Sequence, residues 1–160
     1  MRGLRLLFAA AFLALAPATA WALEPFPVEL AGVGAAPVTL TPEALRDLPP
    51  VEADVTFQTS KGPSTGHYAG VLLWDVLKAN KAFEGAAHNE ELKRTFVVLA
   101  RDGYEVAFSV GEIHPDFGNT RIMLADRVDG APIEGGFRVV VPGDTRGARN
   151  VREVVKIELR

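Results

Sequence analysis

The segment at residues 138–159, RVVVPGDTRGARNVREVVKIEL, constrains the fold more than any other part of the chain. An apolar strand-like run meets Pro142 and Gly143, and a polar loop with several arginines follows. The segment ends in a second strand, in which apolar and charged residues alternate. Strand, turn, basic loop and strand in this order predict cations and backbone N–H groups held at a sheet edge. That arrangement suits a small ligand with anionic or acceptor groups.

The overall charge makes this basic loop a local exception. The chain has 17 basic and 20 acidic residues and a net charge of −3. This balance argues against nucleic acid or an anionic membrane as a general partner. The chain has no cysteine, so no disulfide and no thiolate metal ligand is available, and stability must come from an ordinary hydrophobic core.

The first residues have the pattern of a secretory signal. Arg2 and Arg5 form a basic region, an apolar run follows, and small residues mark a cleavage site. We predict a signal peptide over residues 1–22, a periplasmic location, and no membrane insertion after cleavage, the alternative being an uncleaved anchor. An extended arm over residues 23–37 and a domain over residues 38–160 are then expected.

The rest of the chain mixes strand and helix patterns. A helix is predicted from Thr41 to Pro49, because a hydroxyl cap, a proline and an acid follow each other at its start. A second helix is expected within residues 71–80, where apolar residues recur at helical spacing. Strands are expected at 38–40, 53–57, 95–100, 104–110 and 121–124, with polar loops at 58–67 and 111–119 and a surface helix or loop at 82–94. This order predicts a single α+β domain with mixed, mostly antiparallel sheets.

Several motifs carry a family resemblance. The segments VTFQTSKG, GVLLWDVL, VVLARDGYEVAFS, IMLADRVDGAPI and the block at 138–159 resemble the molybdopterin-binding domain of the sulfite oxidase family. The resemblance spans nearly all of residues 38–159 and implies that fold. The family has a cysteine that binds molybdenum after a strand of the type TLQC. Here the matching segment is TFQT, with Thr59 at that position, so no molybdenum is expected.

A short, exported branch of this family, which binds a free pterin without metal, is the closer likeness. That likeness implies a pterin cofactor, either a reduced pterin or a molybdopterin-like ligand. It also implies that the protein is no enzyme but reports ligand occupancy to the periplasmic domain of a membrane diguanylate cyclase or phosphodiesterase. The alternatives are a periplasmic molybdopterin-dependent oxidoreductase with a noncanonical metal ligand, and a scaffold that binds nothing small.

The resemblance and the residue chemistry together give the candidate ligand contacts. A pterin needs a stacking face, acceptors for its aminopyrimidine N–H groups, and cations or N–H groups for its own acceptors. Core packing is the alternative for Trp74 and Tyr104, and solvation or helix capping is the alternative for the carboxylates. A structural ion pair is the alternative for Arg138, and a docking surface for an acidic partner is the alternative for Arg146, Arg149 and Arg152. The predicted ligand-binding residues are Arg138, Arg149, Asn150, Arg152, Phe117, Glu112, Asp116, Thr59, Trp74 and Tyr104.

Other chemistries have no support in the sequence. The three histidines fit no compact metal-ligand motif, and none of the serines lies in a nucleophile-elbow context. No catalytic residue and no metal site are therefore predicted.

Overall fold

The computed structural model describes residues 26–160. The predicted signal peptide and the first residues of the predicted arm lie outside this range. The strands are β1 Val28–Ala31, β2 Val38–Leu40, β3 Pro50–Thr59, β4 Gly62–Leu72, β5 Thr95–Ala100, β6 Glu105–Ser109, β7 Met123–Val128, β8 Ala131–Pro132, β9 Arg138–Val140 and β10 Val154–Leu159. The helices are α1 Leu73–Ala79 and α2 Val110–Ile113, with short 3-10 helices at Glu90–Lys93 and Gly147–Arg149.

Two sheets organise the molecule. The first has the order β2-β1-β10-β5-β6, in which only β1 and β10 run parallel. The second has the order β3-β4-β7-β8, and β9 pairs with β7. The main core includes β1, β5, β10 and α1, and a smaller apolar cluster lies on the second sheet around Phe57 and Tyr68. The predicted α+β class with mostly antiparallel sheets is confirmed.

The two strands of the 138–159 block lie in different sheets. β9 pairs with β7, whereas β10 is central in the other sheet, between β1 and β5. Backbone bonds from Val139 N to Val151 O (2.9 Å) and from Val154 N to Phe137 O (3.0 Å) hold the crossing together. The basic loop therefore crosses between the two sheets, which corrects the expectation of a loop at the edge of one sheet.

Two further expectations are wrong. Residues 42–48 form turns instead of a helix, because the prolines at 49 and 50 leave too few residues for a stable helix and Leu45 is drawn into the core. Most of residues 58–67 are strand instead of loop. β3 and β4 form one long hairpin, which is paired from Pro50 with Val71 to Thr59 with Gly62 and turns at residues 60–61. The outward face of the hairpin is polar, so it has little hydrophobic alternation, and cross-strand bonds such as Thr56 Oγ1 to Thr65 Oγ1 (2.8 Å) join the strands there.

Smaller differences lie at element ends. β1 belongs to the first sheet, so this part of the predicted arm is inside the domain. The predicted loop at 111–119 starts inside α2, and the strand expected at 121–124 is β7, which begins at Met123. The helix α1, the turn at Asp102 and Gly103, and the strand β5 are confirmed.

Candidate ligand-binding cavity

A cavity of about 510 Å³ opens where the crossing loop meets the end of β3. The loop is fixed to this end of the strand by a backbone bond from Gln58 N to Thr145 O (2.8 Å) and by the parallel bridge between Gln58 and Arg146. The volume lies in the range of small-molecule sites. Its walls are formed by Phe57, Gln58, Thr59, Ser60, Arg138, Arg146, Gly147, Ala148, Asn150 and Arg152.

Gly147 permits the close approach of the loop to β3. A Cβ atom at this position would lie 2.5 Å from Cδ2 of the Phe57 ring, so any side chain here would push the loop and the strand apart. Phe57 is 2% exposed and forms a rigid apolar base for this wall.

Arg138 lies at the first residue of β9 and is half-buried. Its guanidinium carbon is 5.3 Å from the ring centres of both Phe57 and Tyr68, so the cation packs against two aromatic rings. Burial lowers the pKa of Arg138, and the nearby charge of Arg152 lowers it further. Its Nε atom is buried and has no hydrogen-bond partner among residues 26–160.

Asn150 supplies a second donor without a partner. The residue is 5% exposed, and its Oδ1 accepts a bond from Val141 N (3.1 Å). Its Nδ2 is buried and, within the described part of the chain, unpaired. Leaving a buried donor unpaired costs about 1–3 kcal/mol. Two such donors, Arg138 Nε and Asn150 Nδ2, belong to residues that line the same cavity.

The cavity is strongly cationic. Arg138, Arg146 and Arg152 line it, and no carboxylate of residues 26–160 lies within 4.0 Å of any of them. Arg46, Arg101, Arg149 and Arg160 each have such a partner. Uncompensated guanidinium groups in a concave site favour a ligand with anionic or acceptor groups.

Arg149 and Glu112 bind each other in this structure. Arg149 Nη1 donates to Glu112 Oε1 (2.7 Å), and its Nε and Nη2 donate to both carboxylate oxygens of Asp144 (2.9 and 2.6 Å). These bonds raise the pKa of Arg149, the Asp144 bonds most, so the group stays charged. Neither Arg149 nor Glu112 lines the cavity.

Thr59 lines the cavity, but its hydroxyl is engaged in the β3–β4 turn. Oγ1 donates to Gly62 O (2.8 Å) and accepts from Lys61 N (3.1 Å). The Thr59 hydroxyl therefore already donates its hydrogen bond to a backbone carbonyl.

Tyr104 supports the loop from outside. Its hydroxyl donates to Ala148 O (3.0 Å), and its side chain lines a separate cavity of about 300 Å³ on the other side of Ala148. The two cavities lie side by side, because both are lined by Gly147, Ala148, Asn150 and Arg152.

The remaining predicted contacts lie elsewhere. Trp74 stacks on Phe83 (5.1 Å between ring centres) and packs against the main core, which is the alternative weighed for it. Phe117 is 52% exposed and contacts His114, and Asp116 donates its backbone N–H to His114 Nδ1 (3.1 Å). None of the three lines this cavity.

Several lining residues were not predicted from the sequence. Phe57, Gln58, Ser60, Gly147 and Ala148 are among them. Phe57 and Gln58 directly precede Thr59 in the TFQT segment, and Gly147 lies between Arg146 and Arg149. Their position next to predicted residues in the sequence is the signal that could have identified them as lining residues.

The described residues have no apparent metal centre. No group of three His, Cys, Asp or Glu residues within 26–160 is arranged to hold a metal ion. Over the same range, no helix is long and apolar enough to cross a membrane.

The fold is an α+β domain with a basic cavity between β3 and the crossing loop. No family model matches the chain, and no curated protein matches it by sequence. Among solved structures, the crystal structure of the sulfane dehydrogenase SoxCD from Paracoccus pantotrophus is similar, with a TM-score of 0.64 and 19% identity. The match covers 85% of this chain but only 38% of that chain. At this identity the likeness concerns the fold, and it agrees with the predicted sulfite oxidase type.

Proposed function

We propose that this protein is a binding module for a pterin-type ligand, held in the cavity between β3 and the crossing loop. The observation that carries the proposal is a concave site lined by Arg138, Arg146 and Arg152, none of which has a carboxylate within 4.0 Å among residues 26–160. The resemblance in sequence and the shared fold make a pterin the ligand class that fits best.

The polar edges of such a ligand have matching groups in the cavity. Arg138, Asn150 and Arg152 would donate to its carbonyl and ring-nitrogen acceptors. The Gln58 amide and the Ser60 hydroxyl line the same cavity and provide acceptors for the aminopyrimidine N–H groups. These two replace Glu112 and Asp116 in that role. The apolar base of Phe57 and Gly147 keeps the loop at a fixed distance from the strand.

The donor set does not fit molybdenum bound through the protein. The residue at the expected ligand position is Thr59, its hydroxyl is already bonded to Gly62 O, and the chain has no cysteine. A threonine hydroxyl is barely ionised at neutral pH, so it is a poor ligand for such a metal. We therefore propose binding without oxygen-atom transfer.

The oxidoreductase alternative is favoured by one observation, the dehydrogenase named among the similar structures. Metal analysis of protein purified from its own cells separates the two functions. Stoichiometric molybdenum together with oxidoreductase activity would support the alternative. Protein that contains a pterin and no molybdenum would support the binding module.

The binding proposal is tested on the purified protein. Bound small molecules are released, oxidised and analysed for pterin fluorescence and mass, and tetrahydropterin is then titrated into the ligand-free protein. We expect a pterin near one per chain or saturable binding of the added compound. Protein that carries no pterin and binds none would contradict the proposal.

We propose in addition that the exported protein passes ligand occupancy to the periplasmic domain of a membrane enzyme that makes or degrades cyclic di-GMP. This step rests on the sequence resemblance. Cell fractionation tests the location, and cyclic di-GMP levels in a deletion strain complemented with the wild type or with Asn150→Asp test the signal. Equal cyclic di-GMP levels in all strains would contradict this part alone.

A further inference from the structure

The outer side of β3 is an open strand edge. β3 is the first strand of the second sheet, and it pairs along its whole length with β4 alone. On its other side the crossing loop covers only the end of the strand, through the bond from Gln58 N to Thr145 O and the bridge between Gln58 and Arg146. β3 has ten residues, whereas β2, β6 and β8, the other strands at the ends of the two sheets, have three, five and two.

Alternate residues of β3 direct their backbone groups to this open side. In an antiparallel pair, successive residues direct their N–H and C=O groups to opposite sides of the strand. Gln58 N bonds to the crossing loop, away from β4, and the β3–β4 register has no interruption. Glu52, Asp54 and Thr56 lie an even number of residues before Gln58, so their backbone groups also face away from β4.

The neighbouring strand agrees with this direction. His67 lies opposite Asp54, and its own N–H and C=O bond to Asp129, away from β3, at 2.9 and 2.8 Å. No backbone group of residues 26–160 bonds to the N–H or C=O of Glu52, Asp54 or Thr56. A row of unpaired N–H and C=O groups is a template for another strand.

β3 lacks most of the features that protect an edge strand. Natural edges are short, or they have a lysine, a proline or a bulge. β3 has ten residues in continuous register, no lysine, and a proline only at its first position. Residues 52–56 therefore remain open to strand addition, which is one of the recurring modes of peptide recognition.

The side chains at the open edge favour a basic partner. Glu52 and Asp54 have 67% and 84% of their side-chain surface exposed. One imidazole ring, that of His67, lies between the two carboxylates. The three groups together therefore keep a negative charge whether or not the ring is protonated.

Two arginines on this side of the sheet leave the edge acidic. Arg46 and Arg127 line a pocket together with Glu52. Arg46 already pairs with Glu43, and Arg127 lies in β7, two strands away from β3.

The opposite face of the same edge is apolar. Val51 and Ala53 pack against the smaller apolar cluster, and Val55 belongs to it. Apolar side chains of an added strand would extend this cluster, because directly opposed side chains lie on the same face of a sheet. A second copy of this chain fits poorly, since antiparallel pairing of two β3 edges about Asp54 would oppose two carboxylates, which is destabilising.

We infer that the open edge of β3 at residues 52–56 binds an extended segment of a different protein, in which lysine or arginine alternates with apolar residues. The segment adds a strand to the second sheet. Its cations meet Glu52 and Asp54, and its apolar side chains lie beside Val51 and Ala53. This inference does not depend on the ligand of the cavity.

Three synthetic peptides test the inference on the purified protein. The probe is a capped heptapeptide that alternates lysine and valine. The first control has glutamate in place of each lysine, and the second keeps the lysines but has N-methyl groups on its three central residues, which removes their N–H donors. Calorimetric titration measures the affinities, and nuclear magnetic resonance measures amide hydrogen exchange in the protein.

We expect saturable binding of the probe and at least about tenfold weaker binding of both controls. At saturation, the amides of Glu52, Asp54 and Thr56 should exchange at least about tenfold more slowly. The amide of Val55, which faces β4, is the internal control and should be unchanged.

The variant Thr56→Pro removes one N–H from the open edge, and Thr56→Ala is its matched control because both lose the hydroxyl that bonds to Thr65. Thr56→Pro should bind the probe at least about tenfold more weakly, and Thr56→Ala within about twofold of the wild type. Asp54→Asn leaves the backbone intact and should weaken probe binding at least about threefold. Thermal melting shows which variants are folded.

Four outcomes would overturn the inference. They are absence of probe binding, equal binding of the lysine and glutamate peptides, probe binding without slower exchange at Glu52, Asp54 and Thr56, and a probe affinity unchanged in folded Thr56→Pro and Asp54→Asn. Slower exchange of the same three amides that increases with protein concentration, without peptide, would assign the edge to a second copy of the chain and so contradict the inferred partner.

Discussion

Arg146 and Arg149 lie three residues apart in the crossing loop, and their surroundings give them different roles. Arg149 donates to Asp144 and Glu112, so it ties the loop to α2. Arg146 lines the cavity and has no carboxylate within 4.0 Å among residues 26–160. The first is a structural residue that positions the loop, and the second is free to meet a ligand.

Substitution of these two arginines should therefore affect two different properties, stability for Arg149 and ligand binding for Arg146. Arg149→Gln should lower the free energy of unfolding by about 1–2 kcal/mol, because partly exposed charge-assisted bonds to two carboxylates are lost. Arg146→Gln should leave stability unchanged and weaken ligand binding. Chemical denaturation and ligand titration of both variants measure the two effects. Loss of stability in Arg146→Gln but not in Arg149→Gln would contradict this assignment.

His67 joins the two strands of the long hairpin through its ring. Nδ1 lies 2.8 Å from Asp54 Oδ1 and Nε2 lies 3.2 Å from Glu52 Oε2. These bonds, Asp54 first, raise the pKa of His67 above its ordinary value of 6.5. The stabilising contribution is present below the pKa of the unfolded state and is lost as pH rises through the raised folded-state pKa.

A nuclear magnetic resonance titration of the His67 ring measures this pKa directly. We expect a midpoint above 6.5, a clear decrease in Asp54→Asn, and a smaller decrease in Glu52→Gln. A midpoint at or below 6.5 in the wild type would show that the two carboxylates do not stabilise the charged ring.

The sequence predicted part of the site at this scale. Arg138, Asn150 and Arg152 were named and do line one cavity, because a basic loop between strands has few ways to hide its polar groups. Glu112 and Arg149 were named separately, yet they pair across 37 residues of sequence. The two residues meet because α2 lies against the crossing loop. No local sequence pattern indicates that they are close in space.

At the scale of elements, the close approach of β4 and β7 depends on Gly70. A Cβ atom at Gly70 would lie 2.2 Å from Leu124 O and 2.6 Å from Ala125 Cα, beside the irregular register between Ala69 and Gly70. These neighbours are backbone atoms of a central strand and cannot move aside. Gly70 therefore sets the distance between β4 and β7. These two strands belong to the same sheet as β3, whose end lines the cavity.

Gly70→Ala should lower the free energy of unfolding by about 1–3 kcal/mol, because β4 and β7 must move apart to make room for the added Cβ atom. Gly34→Ala is the matched control, since a Cβ there meets nothing within 4 Å. Thermal and chemical denaturation of the two variants measure the difference. Equal stabilities would show that β4 and β7 can separate at little cost.

The elements that the sequence missed share a physical cause. The hairpin β3–β4 has a polar outward face over residues 58–67, so its strands lack the alternation that marks a half-buried sheet. The helix signal at Thr41 was real, and Ala44 N does donate to Thr41 Oγ1 (3.2 Å), but Leu45 packs into the core and the following prolines end the turn. The burial of Leu45 therefore outweighed the local helix-capping signal at Thr41.

At the scale of the whole molecule, half of the described arginines that lack a carboxylate partner surround one cavity of an acidic chain. The net charge is −3. Of the six arginines within residues 26–160 that have no carboxylate within 4.0 Å, Arg138, Arg146 and Arg152 line the cavity beside β3, and the other three lie elsewhere. The α+β class could be predicted because strand and helix patterns alternate along the chain. The crossing of the 138–159 block between two sheets could not, because its two strands look alike in sequence.

The central claim is that the cavity lined by Arg138, Arg146, Asn150 and Arg152 binds a pterin, and a calorimetric titration of tetrahydropterin into the wild type and Asn150→Asp tests it most directly. The aspartate keeps an acceptor for Val141 N–H and removes the donor Nδ2. We predict saturable binding by the wild type and at least about tenfold weaker binding by the folded variant. No binding by the wild type, or equal binding by both proteins, would contradict the account.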